Sequence, residues 1–203
     1  MRVGLLGGSF NPAHVGHRHI AMLARQRLRL DQVWLLVSPG NPLKPARGMA
    51  PLAARLASAR AIGDGRRIVA TAIETALGTR FTVATLAALR RRFPRVRFVW
   101  LMGADNLVQL PRWTRWRAIA GSSRIAVLPR PGYNHAALAG QAARRLRQAR
   151  QPARAAPVLA LTAAPAWTFL PQAEHTASAT AIRAAASGVS FHPPQATRPT
   201  LAA

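Results

Sequence analysis

The stretch from Val3 to His17 constrains this chain more than any other. Val3-Gly4-Leu5-Leu6 is a short apolar run that leads into Gly7-Gly8, and after Ser9-Phe10-Asn11-Pro12 come His14 and His17, separated by Val15-Gly16. An amphipathic segment starts there. The order reads as buried strand, Gly-rich turn, helix N-terminus, a geometry that presents backbone N–H groups and the positive end of a helix dipole to phosphate. Gly7 and Gly8 carry no Cβ, which predicts a sharp turn and close approach of a ligand, and Gly16 does the same between the histidines. His14 and His17 are three residues apart, so the turn brings both rings to one side, and His17 falls in or near the first helical turn, where an anion is favoured. A lone loop histidine reads as a solvated residue; two histidines with three glycines at a strand end read as a site.

The rest of the chain repeats this alternation. Val33–Val37, Arg67–Ala72, Val96–Met102 and Arg124–Leu128 read as further strands. Gly16–Leu30, Leu52–Ile62, Phe81–Phe93 and the basic Ala136–Arg150 read as helices, with Asn106–Ala120 helical in pieces around Pro111. Thr82 is the expected N-cap of its helix and Pro94 the stop. Strands that are continuous apolar runs, alternating with helices, predict an α/β fold: a doubly wound parallel sheet covered on both faces. Beyond Gln151–Pro157, read as a linker, Val158–Thr162 and Trp167–Leu170 are expected as two late strands and Ser178–Ser187 as a helix, a small C-terminal α/β extension. Residues 1–188 are thus expected as one domain, with 189–203, rich in Pro, as a frayed tail.

Ligands of such sheets bind beyond the C-terminal strand ends. The turn after the first strand, the Pro- and Gly-rich loop 38–48 after the second, and Gly103-Ala104-Asp105 after the fourth all fall on that edge. Lys44 sits in the middle loop and is the sole lysine among 29 basic residues. A compact ammonium there can follow a phosphate oxygen. Asp105 reads either as a ribose ligand or as a helix N-cap. Trp113 and Trp116 are three apart on an expected helix, with core packing the natural role for at least one. Ser178 and Thr180 at an expected helix start, with Arg183 a turn later, offer hydroxyls, N–H groups and a guanidinium to phosphate.

Composition narrows the chemistry further. Half of the 203 residues are apolar and there is no cysteine, which removes disulfides, thiolate metal sites and cysteine nucleophiles and suits a cytoplasmic protein. No apolar run reaches the roughly 18 residues of a membrane span, and no signal-peptide stretch is seen, so no membrane partner is expected. The net charge of +24 attracts nucleotides and, nonspecifically, nucleic acid. The arginines are scattered over most expected helices, so no specific nucleic-acid partner is expected, and a basic nucleic-acid-binding protein stands as the rival reading. The five acids, Asp31, Asp64, Glu74, Asp105 and Glu174, are far apart in sequence. An all-protein metal cage is therefore not expected, and any Mg²⁺ would take most of its ligands from substrate phosphates and water.

Gly7-Gly8-Ser9-Phe10-Asn11-Pro12-x-His14-x-Gly16-His17 resembles the nucleotidylyltransferase superfamily that carries an HxGH motif on a Rossmann-like sheet, and its Asn-Pro form resembles the bacterial nicotinate-nucleotide adenylyltransferases. The dehydrogenase-type GxGxxG is absent. The resemblance runs in the same order over residues 1–188. It implies a phosphate-binding role for Lys44, a nucleotide contact at Gly103 and Asp105, an aromatic-Thr pair at Phe81 and Thr82 beside the pyridine nucleotide, and stacking of Trp113 on the pyridine. Trp116 stays in the core. Arg130-Pro131-Gly132 matches a family turn, and Ser178-Ala179-Thr180-x-x-Arg183 matches a late phosphate-binding segment, with Ala179 where the family usually has serine.

The implied activity is transfer of the adenylyl group of ATP to nicotinate mononucleotide, with His14, His17, Lys44 and Arg183 catalytic and Gly7, Gly8, Ser9 and Phe10 on the ATP side. Alternative acceptors, nicotinamide mononucleotide or phosphopantetheine among them, and cytidylyl transfer are not separated by the HxGH segment. The oligomeric state is not readable from the chain.

Overall fold

A computed structural model describes residues 1–40 and 48–171. The opening segment forms β1 (Arg2–Gly8) and α1 (Val15–Arg27), as its apolar run and following amphipathic stretch require. Then come β2 (Gln32–Val37), α2 (Leu52–Ile62), β3 (Ile68–Thr71), the short α3 (Ile73–Ala76), α4 (Thr82–Arg92) and β4 (Arg97–Gly103). The second half runs through α5 (Ala104–Gln109), a 3-10 turn at Leu110–Arg112, α6 (Trp116–Ser122), β5 (Arg124–Leu128), α7 (Asn134–Ala139), α8 (Gln141–Arg145), β6 (Arg150–Gln151) and β7 (Ala166–Phe169).

The seven strands make one sheet in the order β3-β2-β1-β4-β5-β7-β6, and every pairing is parallel. β1 lies at its middle, with Leu5 opposite Trp34 on one side and Trp100 on the other. Alternate residues of each strand feed two cores. Phe98, Trp100 and Met102 join Leu86 and Leu89 of α4, Leu107 of α5 and Ile119 of α6 on one face. Val99 and Leu101 join Ala21 and Ala24 of α1 and Ala59 of α2 on the other. Each buried Leu or Val contributes about 1.5–3 kcal/mol of transfer free energy, which is why a sheet of this pattern is stable only when both faces are covered.

The chain winds outward from β1 through β2 to β3, then returns to the other side of β1 as β4. The loops after β1 and β4 therefore diverge at one topological switch point, where such sheets hold ligands.

Several expected elements differ. Ala136–Arg150 is two short helices, because Gly140 breaks it: a Cβ there would stand 2.8 Å from the Ala136 carbonyl oxygen. Val158–Thr162 is no strand; it ends the 3-10 stretch Ala153–Val158 and turns, with Leu159 and Ala160 buried. A short apolar run is buried equally well as a turn, so pattern alone does not separate the two. The stretch Gln151–Pro157 is not purely a linker, since Gln151 belongs to β6. β6 and β7 extend the main sheet rather than forming a separate unit. The expected helix at Ser178–Ser187 and the tail 189–203 lie outside the described residues.

Candidate active site

His14 and His17 are fixed by the start of α1. His14 is the N-cap residue in extended backbone, and its Nδ1 accepts from the Gly16 N–H at 3.2 Å. His17 returns the favour one turn on: its Nδ1 accepts from the His14 N–H at 3.2 Å. The pair thus forms a reciprocal cap built from imidazoles rather than from the usual hydroxyl and carboxylate. Because each Nδ1 accepts, a neutral ring carries its proton on Nε2, so both residues are set as Nε2–H donors. The rings lie 3.9 Å apart between centroids, tilted by 47°. Gly16 is buried between them.

The turn before them is built differently from expectation. Gly7 and Gly8 are the last two residues of β1, not turn residues. Gly7 is required by packing, since a Cβ would meet the Trp100 ring at 2.8 Å. The left-handed residue is Phe10 at φ +48°, a conformation that costs a non-glycine residue free energy and needs support from its surroundings. Its ring is 2% exposed and packs 4.9 Å from the His17 ring. Phe10 therefore faces the core, and what it can offer a ligand is backbone.

A cavity of about 220 Å³ opens at the switch point. Gly7, Gly8 and Ser9 from the end of β1, Phe81 and Thr82 from the start of α4, and Asp105 and Trp113 all line it, as do Trp100 and Asn106. His14 and His17 do not line its wall; they stand beyond Ser9 at the end of the same segment. Trp113 is not on a helix. It occupies an extended break between the 3-10 turn and α6, edge-on to Trp100 with centroids 6.4 Å apart. Trp116, the first residue of α6, packs against the core as expected.

Two capping expectations are corrected. Phe81, not Thr82, is the N-cap of α4, and no side chain caps that end, so the first-turn N–H groups beside Thr82 lack a side-chain acceptor. Asp105 is inside the first turn of α5, whose N-cap is Gly103. The Asp105 carboxylate folds back over residue 103, with Oδ1 in the space that a Cβ would take. Gly103 shapes the site without lining the cavity. Arg130 also stays off the cavity wall, with its N–H donated to Asn134 Oδ1 at 2.8 Å.

The sequence reading missed Glu74, Ser38, Arg80 and Arg112, which line the cavity too. Glu74 is 7% exposed and accepts from Thr85 Oγ1 at 2.8 Å. Burial pushes its pKa up, with the Thr85 hydrogen bond opposing. It is one of only five acids in the chain, a signal that rarity alone supplied. Lys44, Ser178, Thr180 and Arg183 lie outside the described residues. No group of three or more potential metal ligands occurs among the described residues, and no described helix is long and apolar enough to cross a membrane.

A parallel sheet that ends, at its switch point, in a histidine-capped helix and an aromatic cavity has the layout of a nucleotide-binding transferase of the HxGH type. Comparison with known sequences agrees: the family described as cytidylyltransferase-like matches residues 5–185. A probable nicotinate-nucleotide adenylyltransferase of Gluconobacter oxydans is 63% identical over 90% of this chain and 94% of its own length. The protein of the same description from Gluconacetobacter diazotrophicus is 59% identical over 91% and 86%. With such relatives the chain belongs to the bacterial nicotinate-nucleotide adenylyltransferase family. Among solved structures, a Plasmodium falciparum nicotinic acid mononucleotide adenylyltransferase complexed with NaAD shares the fold, with a TM-score of 0.65 at 12% identity over 90% of this chain and 82% of that one.

Proposed function

We propose that this protein transfers the adenylyl group of ATP to nicotinate mononucleotide, giving the deamido dinucleotide precursor of NAD and pyrophosphate. The observation that carries the reading is one continuous segment, Gly7 to His17, that lines an aromatic cavity at one end and caps α1 with two imidazoles at the other. The cavity suits a pyridine ring: Trp113 and Phe81 line it, with the Arg80 guanidinium 5.2 Å over the Phe81 ring, and the uncapped start of α4 offers N–H groups and a positive dipole to a carboxylate. The histidine end suits phosphates.

The acceptor phosphate attacks the α-phosphorus of ATP in line, the new P–O bond forming as the bond to the leaving pyrophosphate breaks. A phosphate monoester has a second pKa of about 6, so at neutral pH it is already mostly dianionic and needs no general base. Alignment and charge stabilisation are what remain for the protein to supply. His14 and His17, through Nε2–H, would stabilise the charge that develops on the phosphates, with Lys44 and Arg183 joining them as the sequence resemblance implies. Ser178 and Thr180 would add hydroxyls. Gly103 and Asp105 would meet the nucleotide sugar.

The donor set says how Mg²⁺ would be held. Of the two carboxylates at the cavity, Glu74 is engaged by Thr85, which leaves Asp105 and no protein cage. Mg²⁺ would therefore arrive on the ATP phosphates and water and neutralise their charge.

The test is pyrophosphate release by the purified chain with ATP and Mg²⁺, comparing nicotinate mononucleotide with its amide. A strong preference for the acid supports the reading. Preference for nicotinamide mononucleotide keeps the mechanism and replaces the acceptor. Silence with both, together with steeply salt-dependent DNA or RNA binding, would move the protein to the nucleic-acid reading.

A further inference from the structure

Arg55, in the first turn and a half of α2, is 3% exposed, although arginine is almost never fully buried without a paired charge. Its guanidinium meets four backbone carbonyls. Nε donates to Ala50 O at 2.8 Å, Nη1 donates to Ser9 O at 2.8 Å and Ser38 O at 2.7 Å, and Nη2 reaches Pro39 O at 3.4 Å. These carbonyls come from three separate places: the turn after β1, the exit of β2, and the approach to α2. Among the described residues no carboxylate pairs with it; the ion pair they contain is Arg2 with Asp31. Burial alone pushes its pKa down, with no acid pushing back.

Dipoles satisfy the N–H groups of such a cation, but they do not cancel its charge. Its field in a low-dielectric setting reaches further than that of an exposed arginine. A trans peptide also points its C=O and N–H in opposite directions. Turning Ser9 O and Pro39 O toward Arg55 therefore turns the Phe10 and Gly40 N–H groups away from it, on the side where Ser9, Ser38 and Gly40 line the cavity. Asn11 reinforces the same junction, with Nδ2 donating to Gly48 O at 2.9 Å and Oδ1 accepting from Ala50 N at 3.1 Å.

We infer that Arg55 is the positioning residue of the triphosphate half of the site: it locks the strand-end loops of β1 and β2 with their N–H groups outward, and the bound nucleotide phosphates are the counter-charge that no described carboxylate supplies. The inference rests on the adenylyl-transfer reading for the identity of the nucleotide, and on the four carbonyl bonds for everything else. Exposed arginines that fasten a single carbonyl, such as Arg18 on Ile62 O at 2.7 Å, lack both properties.

The experiment compares the wild-type chain with Arg55→Lys, Arg55→Met and Arg18→Ala. Circular dichroism and Tm report folding, calorimetric titration reports ATP binding without acceptor, and pyrophosphate release reports KM for each substrate and kcat. A lysine keeps the charge but cannot reach all four carbonyls. In folded Arg55→Lys, ATP affinity should fall and KM for ATP should rise by about tenfold or more, the scale of one or two charge-assisted hydrogen bonds. KM for nicotinate mononucleotide should rise by less than about threefold, because Phe81 and Trp113, which Arg55 does not touch, hold the pyridine side of the cavity whose other side is Ser9, Ser38 and Gly40; that split is what a purely structural arginine would not give. Arg18→Ala should match wild type in every parameter. If Arg55→Met fails to fold, Arg55→Lys still decides. Folded Arg55→Lys with wild-type ATP affinity, or with both KM values raised equally, overturns the inference. A wild-type chain that binds ATP yet does not turn over nicotinate mononucleotide would sink the acceptor assignment instead, and the ATP titration would still judge Arg55.

Discussion

Either side of β1, the sheet ends in a different kind of wall. On one side of the cavity stand Trp100 of β4, Trp113 and Phe81, where the proposed acceptor ring would be read by its shape and by stacking. Toward β2 there is hardly an aromatic face to offer. Backbone N–H groups, two capping imidazoles and a buried guanidinium stand there instead, and on the proposed function they would read charge and the spacing of phosphate oxygens. On the proposed function, the difference teaches how one switch point would serve two substrates: the acceptor's ring would be read by Phe81 and Trp113 and the donor's phosphates by the strand-end loops, with Gly7–Ser9, Ser38 and Gly40 lining the cavity they share.

That division is open to attack. The largest effect should come from His17→Ala, which removes a donor to the developing phosphate charge: kcat should fall by roughly 10²–10³ with KM for the mononucleotide nearly unchanged. Near-normal turnover in that variant would end the assignment of the charge-reading half. Next comes Trp113→Ala. Loss of a stacking face costs about 1–3 kcal/mol, so KM for the mononucleotide should rise by roughly tenfold to a hundredfold while ATP affinity holds; equal effects on both substrates would merge the two halves into one. Gly103→Ala is expected to be milder. The new Cβ must push Asp105 aside, and KM for ATP should rise by about fivefold, consistent with one displaced hydrogen bond. A variant with unchanged ATP kinetics would take Asp105 out of the nucleotide contacts.

The smallest expected effect is one of stability. Glu74 has its folded pKa raised above the ordinary 4.5 by burial, so its contribution to folding is fully present below that value and is lost as pH rises through the folded pKa. Glutamine keeps an oxygen for Thr85 and never ionises. Glu74→Gln should therefore unfold at a Tm about 2 °C above wild type near pH 8 and level with it below pH of about 4. Melting curves across that range check it, and a variant less stable at pH 8 would show that the carboxylate is wanted ionised.

Much of this layout was legible in the chain. β1 and α1 were readable because Val3–Leu6 is continuously apolar and His14-x-Gly-His17 marks the helix start; α2 matched at Leu52–Ile62 to the residue. Asp105 was marked by its place directly after a buried strand on the ligand edge, whereas the roles of Phe81, Thr82 and Trp113 came from the resemblance, since no periodicity marks those positions. What failed to show was tertiary. Gly140 looks like any helical glycine until the carbonyl it abuts is known. Phe10 reads as a ligand contact until its ring is found under His17. Arg55 is one arginine among many in the sequence, and nothing local tells that four carbonyls will converge on it. Glu74 follows the same logic, a lone acid whose meaning depends on Thr85 arriving from α4.

The sheet's two margins carry one more consequence. β3 is four residues long and β6 only two, and at the second margin the Arg150 guanidinium lies 5.3 Å over the Trp167 ring. A long bare margin would invite another chain to add a strand; stubs this short, one of them carrying an arginine, give such an addition almost nothing to template. Among the described residues, where the outermost strands stop is thus itself a guard against edge-to-edge pairing.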